Sequence, residues 1–181
     1  MYNGTSWVDM HTYVYTNGDW VKLPNWKPAV TRPTSAMTSN SSANCVASSS
    51  SQNSSTYAAW RAFNKVTDSS TSWASSSSDK NPWIQLKMDV SLKDIVVTIV
   101  NRDASYVNGV MSGTILGSDD GSTWVTIGSI SGRDGTGRLV STTHACNNSE
   151  DTYQYVRINI SEWSGGIVAI GEIYIDGNVE K

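Results

Sequence analysis

The stretch 83-WIQLKMDVSLKDIVVTIVNR-102 decides the fold. Its first part sets Ile84, Leu86 and Met88 on one side and Gln85 and Lys87 on the other. Successive residues of a strand face opposite ways, so this period of two predicts a half-buried β-strand over 83–88. Its second part, DIVVTIV (94–100), is nearly all apolar and β-branched. That composition fits a central strand covered on both sides.

Outward from this stretch the same signals recur. GTILGS (113–118), TWVTIGSI (123–130) and RLVSTT (138–143) read as strands, with Asp119-Asp120-Gly121-Ser122 as a turn between the first two. In 155–160, Val156, Ile158 and Ile160 face inward while Arg157 and Asn159 face outward. The last segment, 172–176, turns Ile173 and Ile175 inward. No ten-residue window carries a helical stripe. Many short strands with Gly, Asp and Asn turns predict an all-β sandwich or jelly roll.

Upstream, residues 35–56 are dominated by Ser, Asn, Thr and Ala, a composition often found in linkers. NCVASSSS (44–51) is read as a first strand with small side chains. Residues 1–30 are expected to form a small separate β unit, and 31–181 the main domain. TYVYTNGDWVKL (12–23) reads as a hairpin about Asn17-Gly18, a pair that tolerates the positive φ of a tight turn. Trp7, Trp20 and Trp26 would pack that unit, and Pro24, Pro28 and Pro33 mark a linker or bend.

Composition excludes several roles. The chain of 181 residues has 13 basic and 16 acidic residues, with no Lys/Arg cluster. Nucleic acid and anionic membranes both demand such a cluster, so neither is expected as a partner. No N-terminal signal peptide is read, and no run reaches the roughly 20 apolar residues of a membrane-spanning helix. Cys45 and Cys146 are two buried free thiols or a single bridge. Catalysis is not expected. The two histidines, His11 and His144, lie in different units, no G-x-S-x-G elbow occurs, and Asp119-Asp120 is a turn.

Two clusters carry candidate chemistry. The segment YAAWRAFNKVTDSSTSW (57–73) holds Asn64, Asp68 and Thr71 in a polar loop. Such oxygens suit a hard cation, and equally an ordinary Asx or Ser turn. Trp60 and Tyr57 would pack this loop on the sheet, and Trp73, Trp83 and Trp124 are core or sheet-face residues. The segment NRDASYVNG (101–109) holds Arg102, Tyr106 and Asn108, and Trp163 lies on a late loop. Planar multi-donor groups suit sugar hydroxyls, and a flat aromatic suits the sugar's C–H face. The alternatives are an Arg102 surface ion pair with Asp103 and core packing for Trp163.

These segments resemble the discoidin family, which includes the coagulation factor type C domains and the family 32 carbohydrate-binding modules. WIQLKMDVSLKDIVVTIVNR is similar to its W-I-x-I/V-D-L-G…R segment, and GTILGSDDGSTWVTIG to its S-x-D-G-x-x-W segment. YVRINISEWSGGIVAIGEIYIDG resembles its ending, and AFNKVTDSSTSW its first loop. The match spans residues 35–178. Departures are Lys87-Met88-Asp89 for the usual Asp-Leu-Gly, Asn64 for Asp, Ala74 where a His often follows the loop Trp, and a longer first loop.

The resemblance implies a discoidin-like, galactose-binding-domain-like jelly roll that binds a cell-surface saccharide without catalysis. Arg102, Asn108, Tyr106 and Trp163 are its implied ligand residues. It also implies a structural calcium held by Asn64, Asp68, Thr71 and Glu172, with backbone carbonyls of Arg61 and Gly171. The N-terminal stretch resembles short Trp-containing repeats of phage tail proteins. That implies a receptor-binding or adhesion part and an extracellular or virion location; because shallow sugar sites are weak singly, a homotrimeric or other multivalent parent assembly is expected to raise avidity. The alternative is a structural or protein-binding decoration domain of a virion or surface assembly.

Overall fold

A computed structural model describes residues 13–16, 19–22, 29–68 and 70–179. In chain order the strands are β1 (Tyr13–Thr16), β2 (Asp19–Lys22), β3 (Val30–Arg32), β4 (Ser41–Ser42), β5 (Cys45–Ser49), β6 (Trp73–Ala74) and β7 (Trp83–Val100). There follow β8 (Val110–Ser118), β9 (Val125–Ile130), β10 (Ser141–Ala145), β11 (Tyr153–Trp163), β12 (Ala169–Ile170) and β13 (Glu172–Val179). Two short 3-10 turns, Ser55–Tyr57 and Ala59–Phe63, precede β6.

β1 and β2 pair antiparallel with Thr16 opposite Asp19, the register expected for a hairpin about residues 17 and 18. Asn17 and Gly18 themselves, with Trp7, His11, Pro24, Trp26 and Pro28, lie outside the described residues. β3 begins at Val30 and pairs with β13, so it joins the main sheet.

The expected strands at 83–88 and 94–100 are one strand, the 18-residue β7. Its first half lies between β5 and β11, with Val46 opposite Lys87 and Ile158 opposite Ile84. Its second half lies between β13 and β10, with Ile173 opposite Ile99 and Thr143 opposite Thr98. β8 and β9 extend the first layer beyond β11. A strand that bends from one layer to the next is a known way to make a sandwich corner. Asp94, at φ +50, lies at the bend. Buried Asn148 clamps it: Ile95 N donates to Asn148 Oδ1 at 2.9 Å, and Asp94 N to its carbonyl at 3.3 Å.

The core closes between these layers. Ile84, Leu86 and Met88 of the first half meet Ile95, Val97 and Ile99 of the second, with Val156, Ile158, Ile160, Ile173 and Ile175. Each such side chain is worth about 1.5–3 kcal/mol of burial. Trp73 and Phe63 are fully buried in the same cluster. The second half of β7 is covered on one face only: Val96 and Thr98 are half-buried, and Thr98 Oγ1 bonds Thr143 Oγ1 at 3.0 Å. The strand expected at 138–143 starts at Ser141, because Leu139, at φ +56, still belongs to the preceding loop. Cys45 and Cys146 are unbridged thiols.

Trp83 and Trp124 take sheet-face positions. The Arg157 guanidinium lies between their rings, 4.1 Å from one centroid and 3.9 Å from the other. Gln85 Oε1 accepts from Arg157 Nε and Nη2 at 2.8 and 2.6 Å, which holds the stack across β7 and β11.

Candidate functional site

The first cluster forms where the 57–73 loop meets the start of β13. Ala59, Ala62 and Phe63 bury one side of the 3-10 turn, and Trp73 Nε1 donates to Ser51 O at 3.0 Å. Trp60 packs partly on the core, with the Arg61 guanidinium carbon 4.7 Å from its ring centroid. Asn64 Oδ1 and Glu172 Oε2 both accept from Val66 N, at 3.0 and 3.2 Å. Thr71 Oγ1 donates to Val66 O at 3.2 Å. Asn64, Thr71 and Glu172 therefore converge on Val66. Asp68 is exposed and accepts from Ser70 N, Ser70 Oγ and Thr71 Oγ1, a local turn that lowers its pKa. Gly171 N donates to Val100 O at 2.9 Å, which fixes the chain just before Glu172.

Glu172 is 1% exposed, and its Oε1 has no partner. Burial pushes its carboxyl up to about 8, against the opposing pull of the backbone donors at Val66 and Lys65. A buried carboxylate oxygen without a partner is costly. A hard cation shared with the loop oxygens would remove that cost, so the donor set fits calcium chemically. Among the described residues no three of His, Cys, Asp and Glu cluster together, so such a cation would draw on amide, hydroxyl and backbone oxygens as well.

The second cluster is built by three loops. Arg102 is 9% exposed, and its Nε donates to Tyr106 O at 2.8 Å, with Nη2 on the same carbonyl. The alternative Arg102–Asp103 ion pair is not formed; Asp103 instead accepts from Arg138 Nε at 2.5 Å. Asn108 has φ +53, and its amide, oriented to match its neighbours, donates to Ser164 O at 3.2 Å and accepts from Arg102 Nη2 at 3.3 Å. Gly165, at φ +90, lies so close that a Cβ there would be 2.1 Å from the nearest atom of the Asn108 amide. Arg102 and Asn108 thus clamp the 101–109 loop to the turn after Trp163.

Trp163 is half-buried against the core and lines an open groove of about 650 Å³. Ser77 and Lys80 come from the loop after β6, Met111 from β8, Ser161 and Glu162 from β11, and Gly165 and Gly166 from the turn. That volume lies within the usual range for a small-molecule site. Tyr106 is 81% exposed and does not line this groove.

Three contributors were not read from the sequence. Arg133 is 4% exposed and donates to Asn101 Oδ1, Val110 O, Ile99 O, Val140 O and Thr142 Oγ1, at 2.5–2.9 Å. Burial lowers its pKa to about 10. Asn101 Nδ2 in turn holds Asp134 O and Gly137 O, and Gly135 O accepts from Gly109 N and Ser164 Oγ. The Asp/Gly-rich 132–137 segment signals only a turn; nothing local marks its Arg as buried. Asp79 is the second, accepting from Ser50 Oγ and Ser51 Oγ at 2.5 and 2.6 Å, which pins the loop bearing Ser77 and Lys80. Glu162 is the third.

The profile of the F5/8 type C domain matches residues 46–173. Among solved structures, CpGH89CBM32-5 from Clostridium perfringens, in complex with GalNAc-β-1,3-galactose, superposes at TM-score 0.63 with 19% identity, covering 73% of this chain and 94% of that one. The family 32 carbohydrate-binding module from C. perfringens NanJ, in complex with galactose, gives 0.59 with 18% identity over 74% and 93%. A point mutant of chitosan-binding module 1, derived from a chitosanase/glucanase of Paenibacillus sp. IK-5, gives 0.58 with 26% identity over 74% and 95%. No curated protein sequence matches the chain.

Proposed function

The chain belongs to the F5/8 type C domain family, and on that footing we propose that it is a non-catalytic module that binds a cell-surface saccharide. The observation that carries this reading is the half-buried Trp163 in an open groove, beside the turn that Arg102 and Asn108 clamp in place. Trp163 offers a flat apolar face to a sugar ring, while Ser77, Ser161 and the exposed charges of Lys80 and Glu162 offer partners for hydroxyls. Neighbours that carry galactose, GalNAc-β-1,3-galactose or chitosan in their descriptions support a saccharide ligand.

The cluster at Glu172 is assigned to calcium, with side-chain oxygens from Asn64, Thr71 and Glu172, a contribution from Asp68, and carbonyls of Arg61 and Gly171. Bound there, the ion would neutralise the buried carboxylate and tie the first loop to β13, a structural role. The finer assignment is a receptor-binding or adhesion part of a phage tail, extracellular or on the virion. It rests on the resemblance of the N-terminal stretch. Several weak sugar sites would gain avidity in a homotrimeric or other multivalent parent assembly.

A glycan array tests the reading. Wild type is expected to mark specific saccharides, and Trp163→Ala to lose them while keeping its fold. A blank array from folded wild type would overturn it and favour a structural or protein-binding decoration role.

A further inference from the structure

The register of β11 changes where it matters for the groove. Its pairing with β8 shifts between Ile160 and Glu162, and again between Glu162 and Trp163. On a regular strand these two consecutive residues would face opposite sides. Bulges re-aim side chains, and here Glu162 and Trp163 both line the same groove. Ser112 Oγ donates to Glu162 Oε2 at 2.8 Å, which holds the carboxylate in place. No ion pair to Glu162 is formed among the described residues.

A carboxylate and an indole face share one preference: both attract a cation. A neutral sugar draws on the carboxylate only as a hydrogen-bond acceptor, whereas a cation draws on its charge as well. We propose that the groove takes a saccharide carrying a protonated amine, an amino sugar, with its ammonium on Glu162 and its ring against Trp163. This rests on the saccharide reading above and names the ligand class for that site. Lys80, the groove's other charge, is exposed on a flexible stem and can turn its ammonium to solvent or donate to a hydroxyl.

Calorimetric titration of the full chain with a glucosamine trimer and with its neutral N-acetylated counterpart tests the proposal. It is run at a pH where the amines are charged and in about 0.15 M salt, which screens exposed charges beyond about 8 Å. Wild type is expected to prefer the amine trimer. Glu162→Gln is expected to weaken that trimer about tenfold, the scale of one charge-assisted hydrogen bond. Glu150→Gln, the same charge change at an exposed acid outside the groove, is expected to leave binding unchanged. A preference for the acetylated trimer would overturn the amino-sugar inference and leave saccharide binding standing. So would an unaffected Glu162→Gln, or an equal loss in Glu150→Gln. Failure of folded wild type to bind either trimer would overturn the inference too, and the glycan array decides the wider reading independently.

Discussion

Arg133 donates through Nη1 to Asn101 Oδ1 at 2.5 Å, and the two side chains tie the 101–109 loop to the 131–140 loop. Arg133 holds carbonyls of β7, β8 and its own loop, while Asn101 holds two more from the 132–140 segment. Gly135, between them, presents its carbonyl to Gly109, on the loop that bears Asn108, and to Ser164, in the turn after Trp163.

Arg133→Met is therefore expected to destabilise the fold by about 3 kcal/mol, because several buried carbonyls lose their donor at once. Urea unfolding measures this as a lower midpoint with an unchanged slope. Arg133→Lys keeps a charge without the planar fork and is expected to recover only part of the loss.

Gly165→Ala places a Cβ on the Asn108 amide at a φ that side chains rarely adopt. The expected cost is about 1–3 kcal/mol, with loss of saccharide binding. In an Asn108→Ala background the clash disappears and the φ strain remains, so the added cost of Gly165→Ala is expected to shrink. A double-mutant cycle by thermal unfolding separates the two.

Calcium removal is expected to lower the melting temperature without abolishing the fold, as read by calorimetry with and without chelator. Glu172→Gln and Asn64→Ala are each expected to shrink the calcium-dependent increment. Proton and cation compete for Glu172, so that increment grows as pH rises from about 5 to 8. In chelator the sign is opposite. A carboxyl whose folded pKa is raised stabilises the fold below its ordinary value and loses that contribution as pH climbs through about 8.

Both thiols are expected to resist modification in the native protein. Cys45 is buried, and burial pushes the Cys146 thiol up to about 12, so almost no thiolate exists at neutral pH. An aromatic disulfide reagent should report little reaction under native conditions. In denaturant both cysteines should react, and mobility on a non-reducing gel should match that of the reduced chain.

The strands were legible because their signal is local. Alternation at 83–88 and 155–160 needs only neighbours two residues apart, and the same residues bury in the core. Trp83 and Trp124 were read as core or sheet-face residues, but the guanidinium between them required knowing that β11 lies beside β7. Arg102, Asn108 and Trp163 were placed by resemblance, and the structure brings the 101–109 loop against the turn that follows Trp163 at the end of β11. Glu162 carried no signal, since alternation along β11 would set it opposite to Trp163 until the bulge intervenes.

What the sequence alone determined was the all-β class, most strand positions and the inward face of each strand, because periodic burial is written into neighbouring residues. Three features came only with the tertiary structure. β7 runs through both layers because Asn148, from a distant loop, satisfies the amides at its bend. Arg133 is buried because carbonyls from three segments end where its five donors can reach them. Glu162 faces the groove because β8 and β11 differ in register. Each depends on where a long side chain or a backbone group finds its partner in space, and that distance is not encoded in spacing along the chain.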